Sequence, residues 1–267
     1  MEDRKSLLMF FLSLLSAMVM VYFLSLLTIF LQFDAEGSLN PLMIVAMQVL
    51  VFISPVILIS IFFKEDVTKL IKFNLKFDTR ILLWAIAGIL ILDFFNSSFI
   101  ILQNTILPDS ISKFLIQSLN DTQNFYKQLF VKDDFSGFLI AGFVGAVLPS
   151  ICEEFYFRGL LQTSLSHKNK IIVIILPSVI FGIFHFQPAH TFALIFIGIF
   201  LALITHYSNS IIPAIIIHFI NNLKSIIMLN LFESESYETG LGISILILSI
   251  SGILIFLIIR KIRNLAG

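Results

Sequence analysis

The chain has 267 residues, of which 58% are hydrophobic and 13% are charged, and its formal net charge is zero. In soluble domains about a quarter of all residues are charged, so this composition excludes a soluble protein. The zero net charge and the lack of a basic stripe argue against nucleic acid as a partner.

The apolar residues form continuous runs of about 20 residues, the length of a membrane-spanning helix. They are not the alternating segments of roughly ten residues that indicate a β-barrel. The sequence therefore predicts an all-α, polytopic membrane helical bundle with about eight transmembrane helices, in a single integral membrane domain that covers residues 1–267. The predicted spans are 7–31, 41–63, 80–107, 136–165, 171–187, 190–206, 210–230 and 241–260.

Lysine and arginine residues in the connecting segments predict the orientation. If the N-terminus is cytoplasmic, twelve of these cations lie in inner segments and four lie in outer segments. This positive-inside bias predicts a multi-pass protein of the cell membrane with both termini in the cytoplasm. The first apolar run is about 25 residues long and lacks a small-x-small cleavage pattern, so we expect a retained span rather than a signal peptide.

Two polar features lie outside the main candidate site. The connection 108–135 mixes apolar and polar side chains, which predicts an amphipathic helix at the outer membrane interface. It is either a linker or a lid that controls substrate access. Asp93 lies in the middle of the third span, where an acid is a functional candidate, but we favour a structural bond to a neighbouring helix.

Two adjacent glutamates, Glu153 and Glu154, lie within the fourth span. Hydrocarbon tolerates such charges only when they are paired or used. Arg158 follows Glu154 by four residues, in the favoured orientation for a helical ion pair, and burial would make that pair obligatory. Glu153 is thereby left without a partner and is predicted to be the reactive carboxylate.

Three further polar side chains lie on the fifth and seventh spans. Because the fourth and fifth spans are joined by a short polar turn, Glu153 and His185 are both predicted about 23–25 Å along their helices from that turn. His218 and Asn222 are four residues apart and share a helical face, at about 14 and 20 Å from their own turn. The sequence therefore predicts that these groups cluster in one slab of the bilayer.

These residue types suit hydrolysis of an amide bond. A carboxylate in low dielectric can accept a proton from water, and a neighbouring histidine can orient that water. Amide and imidazole donors can stabilise the oxyanion, by about 3–4 kcal/mol for one well-placed donor. A lone histidine or asparagine in an apolar helix can also serve only as a bond between helices.

The motifs resemble those of a known family. Residues 153–162 resemble the E-E-x-x-x-R motif and its F-R-G-x-L-Q continuation in the CPBP intramembrane proteases, also called the CAAX protease and bacteriocin-processing or Abi family. This family includes the type II CAAX prenyl endopeptidases. Phe181–His185 matches its F-x-x-x-H motif, and His218–Asn222 matches its H-x-x-x-N motif. The resemblance covers about residues 136–230, the predicted protease core.

The resemblance implies an intramembrane endopeptidase that acts on a membrane-associated peptide or protein, such as a prenylated or leader-peptide substrate. The family has been described as metalloproteases, but the residues lead us to expect no cofactor. Membrane lipid is the other implied partner, and the sequence does not predict an oligomeric state. By this resemblance, Glu153 activates a water molecule together with His185. The oxyanion site is formed by His218 and Asn222. Supporting roles fall to Glu154 and Arg158.

Three alternatives stay open. Glu153, His185 and His218 can supply a zinc triad with an open position, although the sequence has no H-E-x-x-H pair and an asparagine is a poor zinc ligand. A proton-coupled transporter would also use intramembrane acids and histidines, but the sequence shows no repeated halves. A non-catalytic membrane scaffold or immunity protein is the third alternative.

Overall fold

The computed structural model describes residues 2–30, 41–132, 134–231 and 240–266, and these parts contain helices and no strand. The α-helices are α1 (Glu2–Phe30), α2 (Pro41–Gln48), α3 (Ser54–Phe63), α4 (Val67–Leu70), α5 (Thr79–Ile106), α6 (Asp109–Phe130), α7 (Phe135–Gly142), α8 (Leu148–Glu154), α9 (Gln162–Ser164), α10 (Lys170–Phe184), α11 (Thr191–Ser208), α12 (Ile212–Leu231) and α13 (Leu241–Ala266). π-helical turns at Val49–Ile53, Phe143–Val147 and Phe155–Leu161 join their neighbouring helices, and a 3-10 turn, Pro188–His190, precedes α11.

Seven helical stretches of the described chain are long and apolar enough to cross a bilayer. They correspond to every predicted span except the fifth, so the all-α polytopic membrane bundle is confirmed. The last residue of the first predicted span, residue 31, lies outside the described residues. The orientation of the termini stays a prediction.

The fifth predicted span, 171–187, is the short helix α10. Its 15 residues measure about 22 Å at 1.5 Å per residue, less than the roughly 30 Å of a bilayer's hydrocarbon core. The helix ends because Phe186 has a left-handed backbone with φ of 51°, which an α-helix cannot continue. His185 consequently lies at a helix end rather than in mid-helix.

The fourth span, Phe135–Ser164, is a helix interrupted by two π-helical turns. It contacts α1, α2, α10 and α12, so it is the element that connects the parts of the bundle. One apolar cluster packs its residues Tyr156, Phe157 and Leu160 against α1 and α3. A second cluster joins α5, α11, α12 and α13.

The packing of α10 against α11 depends on a close approach of their backbones. A Cβ atom on Gly198 would lie 3.1 Å from the Cα atom of Ser178. Small residues at such positions let membrane helices approach closely. This approach also brings the Gly198 carbonyl group within reach of the buried site.

The connection 108–135 forms α6, which confirms the predicted amphipathic helix. Its N-terminal end is tied to α5, because the Ser112 hydroxyl donates to the Asn104 carbonyl oxygen at 2.7 Å. Asp93 forms an ion pair with Lys224, with 2.6 Å between Oδ1 and Nζ. Asp93 therefore connects α5 with α12, as the structural interpretation proposed.

Candidate active site

The structure brings the predicted site residues to three neighbouring elements. Both glutamates end α8 and Arg158 lies in the following π-helical turn, His185 follows α10, and His218 and Asn222 lie on α12. Glu153, Glu154, Arg158 and His218 are buried, whereas His185 and Asn222 are half-buried.

Glu154 is the centre of a buried ionic cluster. Its Oε1 accepts a hydrogen bond from Arg158 Nη1 at 2.8 Å and lies 2.8 Å from His218 Nδ1. Arg158 Nη2 also donates to the Gly198 carbonyl oxygen at 3.1 Å. The predicted Glu154–Arg158 pair is present, with side chains 0% and 1% exposed. Removing either member would strand a buried charge.

The contact between His218 and Glu154 is a feature that the spacing did not predict. An ionised carboxylate only accepts hydrogen bonds, so the imidazole Nδ1 carries the hydrogen and Nε2 is left for the site. Nε2 can donate only when the ring holds both protons. The cluster of Arg158, Glu154 and protonated His218 then carries a net charge of about +1, which is complementary to an oxyanion.

Glu153 has a different environment from that of its neighbour. Its Oε1 accepts a long hydrogen bond of 3.4 Å from Gln48 Nε2. Its Oε2 is buried without a hydrogen-bond partner in the described chain and lies 3.8 Å from His185 Nε2. That distance is too long for a direct hydrogen bond, so Glu153 retains capacity to accept a proton.

His185 is oriented by its own helix. Its Nδ1 lies 2.7 Å from the Phe181 carbonyl oxygen, which can only accept, so Nδ1 carries the hydrogen and Nε2 faces Glu153. The Phe181 ring packs against His185 with 4.5 Å between ring centroids. The Arg158 guanidinium lies 4.4 Å from the centre of the same ring. Phe181 therefore contacts both His185 and the partner of Glu154.

Two polar groups near the site were not found from the sequence. Gln48 contacts Glu153 from α2, and its only signal was an amide in an otherwise apolar run. Gln187 lies two residues after His185 and donates from Nε2 to the hydroxyl of Tyr126 on α6. Asn222 lies one turn beyond His218, and its side chain has no hydrogen bond to the described residues.

The side chains do not fit the alternative zinc site. Both histidines keep Nδ1 hydrogen-bonded, as metal-ligating histidines do. However, no group of three His, Cys, Asp or Glu side chains in residues 2–30, 41–132, 134–231 and 240–266 is placed to hold a metal ion. Glu153, His185 and His218 therefore do not converge on one point, as zinc ligands at about 2 Å would require.

Comparison with known proteins gives one match. Residues 135–224, about a third of the chain, match the model of a family described as Rce1-like, type II CAAX prenyl endopeptidase Rce1-like. No curated protein and no solved structure matches the chain. The matched region contains all three motifs, and at the level of the family it supports a CAAX-type intramembrane protease. The resemblance seen in the motifs is thus confirmed: residues 135–224 of this multi-pass membrane protein are similar to the Rce1-like family.

Proposed function

We propose that the protein is an intramembrane endopeptidase that hydrolyses a peptide bond with water activated by Glu153. The observation that carries this proposal is the difference between the two glutamates. Glu154 is occupied by Arg158 and His218, whereas Glu153 keeps an oxygen without a partner in the described chain, 3.8 Å from His185 Nε2.

The reaction proceeds by general base catalysis. A water molecule between Glu153 and His185 gives a proton to the Glu153 carboxylate, while its oxygen attacks the carbonyl carbon of the substrate. The tetrahedral intermediate then collapses with cleavage of the C–N bond. The proton held by Glu153 passes to the departing nitrogen, so the carboxylate is regenerated.

His218 and Asn222 stabilise the negative charge that develops on the carbonyl oxygen. The Asn222 amide is a donor without a partner in the described residues, and protonated His218 offers Nε2–H. Donors of this kind contribute most in a site that excludes water, because the effective dielectric constant there is low. Glu154 and Arg158 act through His218, which they hold in position.

The substrate is a membrane-associated peptide or protein. The reactive groups lie among membrane-length helices, so the scissile bond has to reach them from a segment that is itself in or at the membrane. A prenylated C-terminal segment and a leader peptide are the two classes that the family resemblance suggests.

The decisive experiment is proteolysis by the purified protein in liposomes, against a library of membrane peptides. Cleavage products identified by mass spectrometry support the endopeptidase, with Glu153→Gln protein as the control for a contaminating protease. No cleavage of any peptide, combined with proton-coupled uptake of a solute into the liposomes, would support the transporter instead. An intact library without uptake would favour the scaffold.

Metal dependence is tested on the same preparation. We propose that no metal takes part, so long incubation with a zinc chelator should leave the rate unchanged. Elemental analysis should find zinc well below one equivalent. One zinc per chain, with activity lost on chelation and restored by zinc, would establish the zinc mechanism and overturn this part of the proposal.

A further inference from the structure

The helices α5 and α12 pack tightly at one depth and diverge beyond it. Ile89 of α5 and Ile217 of α12 are buried in the same apolar cluster. On the same face of α5, Asp93 and Ser97 follow at successive turns and are both exposed. On the face of α12 that carries Ile217, Met228 is exposed as well. Because exposure increases along both helices, an opening between them widens from the apolar cluster toward α6.

The helix α6 lies across the wide end of this opening. Near its start, the Ser112 hydroxyl donates to the Asn104 carbonyl oxygen of α5 at 2.7 Å. At its other end, Asn230 of α12 donates from Nδ2 to the Phe130 carbonyl oxygen at 2.9 Å and accepts from the Lys132 backbone N–H at 3.1 Å. Ser112 and Phe130 are about 27 Å apart along a straight helix. α6 therefore bridges the separated ends of α5 and α12.

The ion pair of Asp93 with Lys224 lies where the two helices begin to diverge. Asp93 is close to the middle of α5, which extends from Thr79 to Ile106. Its side chain is 50% exposed, and that of Lys224 is 21% exposed. Charged groups in membrane-spanning helices face the protein interior or water, because hydrocarbon does not solvate them. The opening between α5 and α12 is therefore hydrated at this depth.

The Asp93 carboxylate has capacity for a second cation. Lys224 Nζ lies 2.6 Å from Oδ1, whereas Oδ2 has no hydrogen-bond partner in the described chain. An ionised carboxylate accepts hydrogen bonds through both of its oxygens. Asp93 is also the more exposed member of the pair, so a molecule in the opening meets the acid rather than the lysine. The opening is therefore complementary to a cationic group.

The opening continues around α12 toward the oxyanion donors. Residues 219–224 are all half-buried, and six consecutive residues point in every direction around a helix. Lys224 lies two positions after Asn222, about 3 Å further along the axis and on a different face. A helix with its side chains is about 10 Å wide, and an extended peptide rises about 3.3 Å per residue. Roughly three or four peptide residues therefore cover the path from Asn222 to the ion pair.

We propose that a polar segment of the substrate enters between α5 and α12, and that Asp93 binds a lysine or arginine side chain of this segment about three or four residues from the scissile bond. This inference rests on the proposed endopeptidase function and adds a charge preference to the substrate class. Asp93 thus has two roles: its bond to Lys224 connects the helices, and its free oxygen selects the substrate.

The first test uses pairs of membrane peptides that differ only in a lysine or a glutamine, placed in turn at each position near the scissile bond. At the matching position, the lysine peptide should have a kcat/KM about tenfold higher, the effect of one hydrogen bond between charged groups. Asp93→Asn should bring this ratio to about one. Lys224→Gln should keep or increase it, because the carboxylate loses a competing cation. A pair with only a structural role would give the same ratio in both variants.

A double variant keeps the ion pair and so guards against loss of folding. Asp93→Lys combined with Lys224→Asp exchanges the two charges, and the more exposed position then carries the cation. This variant should cleave a glutamate peptide faster than the matched lysine peptide. A preference for lysine that survives the exchange contradicts the role of Asp93.

The second test does not depend on catalysis. In Glu153→Gln protein in liposomes, Ser97→Cys should react with a charged thiol reagent that does not enter hydrocarbon. Ile253→Cys is the matched control, because Ile253 is exposed near the middle of α13 and should not react. The single native cysteine, Cys152, is buried. Excess lysine peptide should slow the labelling of Ser97→Cys more than the glutamine peptide does.

The outcomes separate this inference from the proposed function. A wild-type protein that cleaves no peptide contradicts the endopeptidase, while protection of Ser97→Cys by the lysine peptide still decides whether a cation is bound. An active protein with equal kcat/KM for every peptide pair overturns the role of Asp93 alone. A Ser97→Cys protein that reacts no faster than Ile253→Cys overturns the hydrated opening itself.

Discussion

The two adjacent glutamates occupy two environments that differ in almost every respect. Glu154 lies in a closed ionic cluster, with Arg158 and His218 both at 2.8 Å from the same oxygen. Glu153 lies one residue earlier, with a single long bond to Gln48 and an approach of 3.8 Å to His185. Neighbouring residues on a helix point about 100° apart, which is sufficient to direct them to different partners.

This difference teaches that charge in a membrane helix has two separate uses. The Glu154 cluster is satisfied and therefore rigid, so it can hold His218 in a fixed direction. The Glu153 environment is incompletely satisfied, which is unfavourable for stability but leaves a carboxylate able to accept a proton. If stability and reactivity divide between the two glutamates in this way, substitutions around Glu153 should lower activity and substitutions around Glu154 should lower stability.

The largest effect is expected on the Glu153 side. Glu153→Gln should lower kcat by about a thousandfold or more, because an amide of the same shape cannot accept the proton of the attacking water. The protein should still fold, since no ionic partner is stranded. Turnover assays on purified protein check this, and near wild-type turnover in Glu153→Gln with none in Glu154→Gln would reverse the two roles.

Substitutions in the ionic cluster around Glu154 should mainly lower the stability of the protein. Arg158→Ala leaves Glu154 as a buried charge with one partner fewer, which should lower the free energy of unfolding by about 3–5 kcal/mol. Thermal melts in detergent, together with the yield of folded protein, measure this effect.

The matched control for that prediction is Lys5→Ala. Lys5 pairs with Glu65, but these side chains are 43% and 38% exposed, so its loss should change stability by less than about 1 kcal/mol. An Arg158→Ala protein with an unchanged Tm and no activity would instead make Arg158 a residue that binds substrate.

The oxyanion donors should affect kcat rather than stability. His218→Ala and Asn222→Ala should each lower kcat by about a hundredfold, with a smaller change in KM, because these bonds strengthen in the transition state. Asn221→Ala is the control, because its side chain projects from a different face of α12. Equal losses in all three variants would show that α12 has been disturbed rather than its donors removed.

The smallest effect is expected from a substitution of Gln48, because this residue makes the weakest contact with Glu153. A small effect would show how little Glu153 depends on its partners in comparison with Glu154. Gln48→Leu removes a 3.4 Å hydrogen bond and should lower kcat by about threefold, less than one normal hydrogen bond to a charged group provides. Steady-state kinetics suffice. A loss as large as that of Glu153→Gln would mean that Gln48 itself contacts the reacting atoms.

Much of the candidate site could be predicted from the sequence, because the patterns that indicate it lie within single helices. The ion pair of Glu154 with Arg158 depends on a spacing of four residues, and the packing of Phe181 on His185 depends on the same spacing. The spans were predicted from continuous apolar runs, which report the thickness of the bilayer directly. Even the π-helical turn after Glu154 did not alter the predicted pair.

The contacts that were missed join distant parts of the chain. Glu154 and His218 are 64 positions apart, and Gln48 and Glu153 are 105 apart. No periodicity within one helix specifies which face of another helix it meets. The early end of α10 depends on the left-handed backbone of Phe186, a residue type whose preferences give no indication of that conformation.

The shortness of α10 has a consequence for the lipid around it. A helix of 15 residues, about 22 Å long, is several ångströms shorter than an average hydrocarbon core, so the adjacent acyl chains have to compress or its far end has to stay below the headgroups. In the proposed reaction each cleavage consumes one water molecule, and we expect that water to reach His185 more easily where the lipid is thin. We expect turnover to fall as the acyl chains of the host bilayer are lengthened, which would make membrane thickness itself a regulator of this protein.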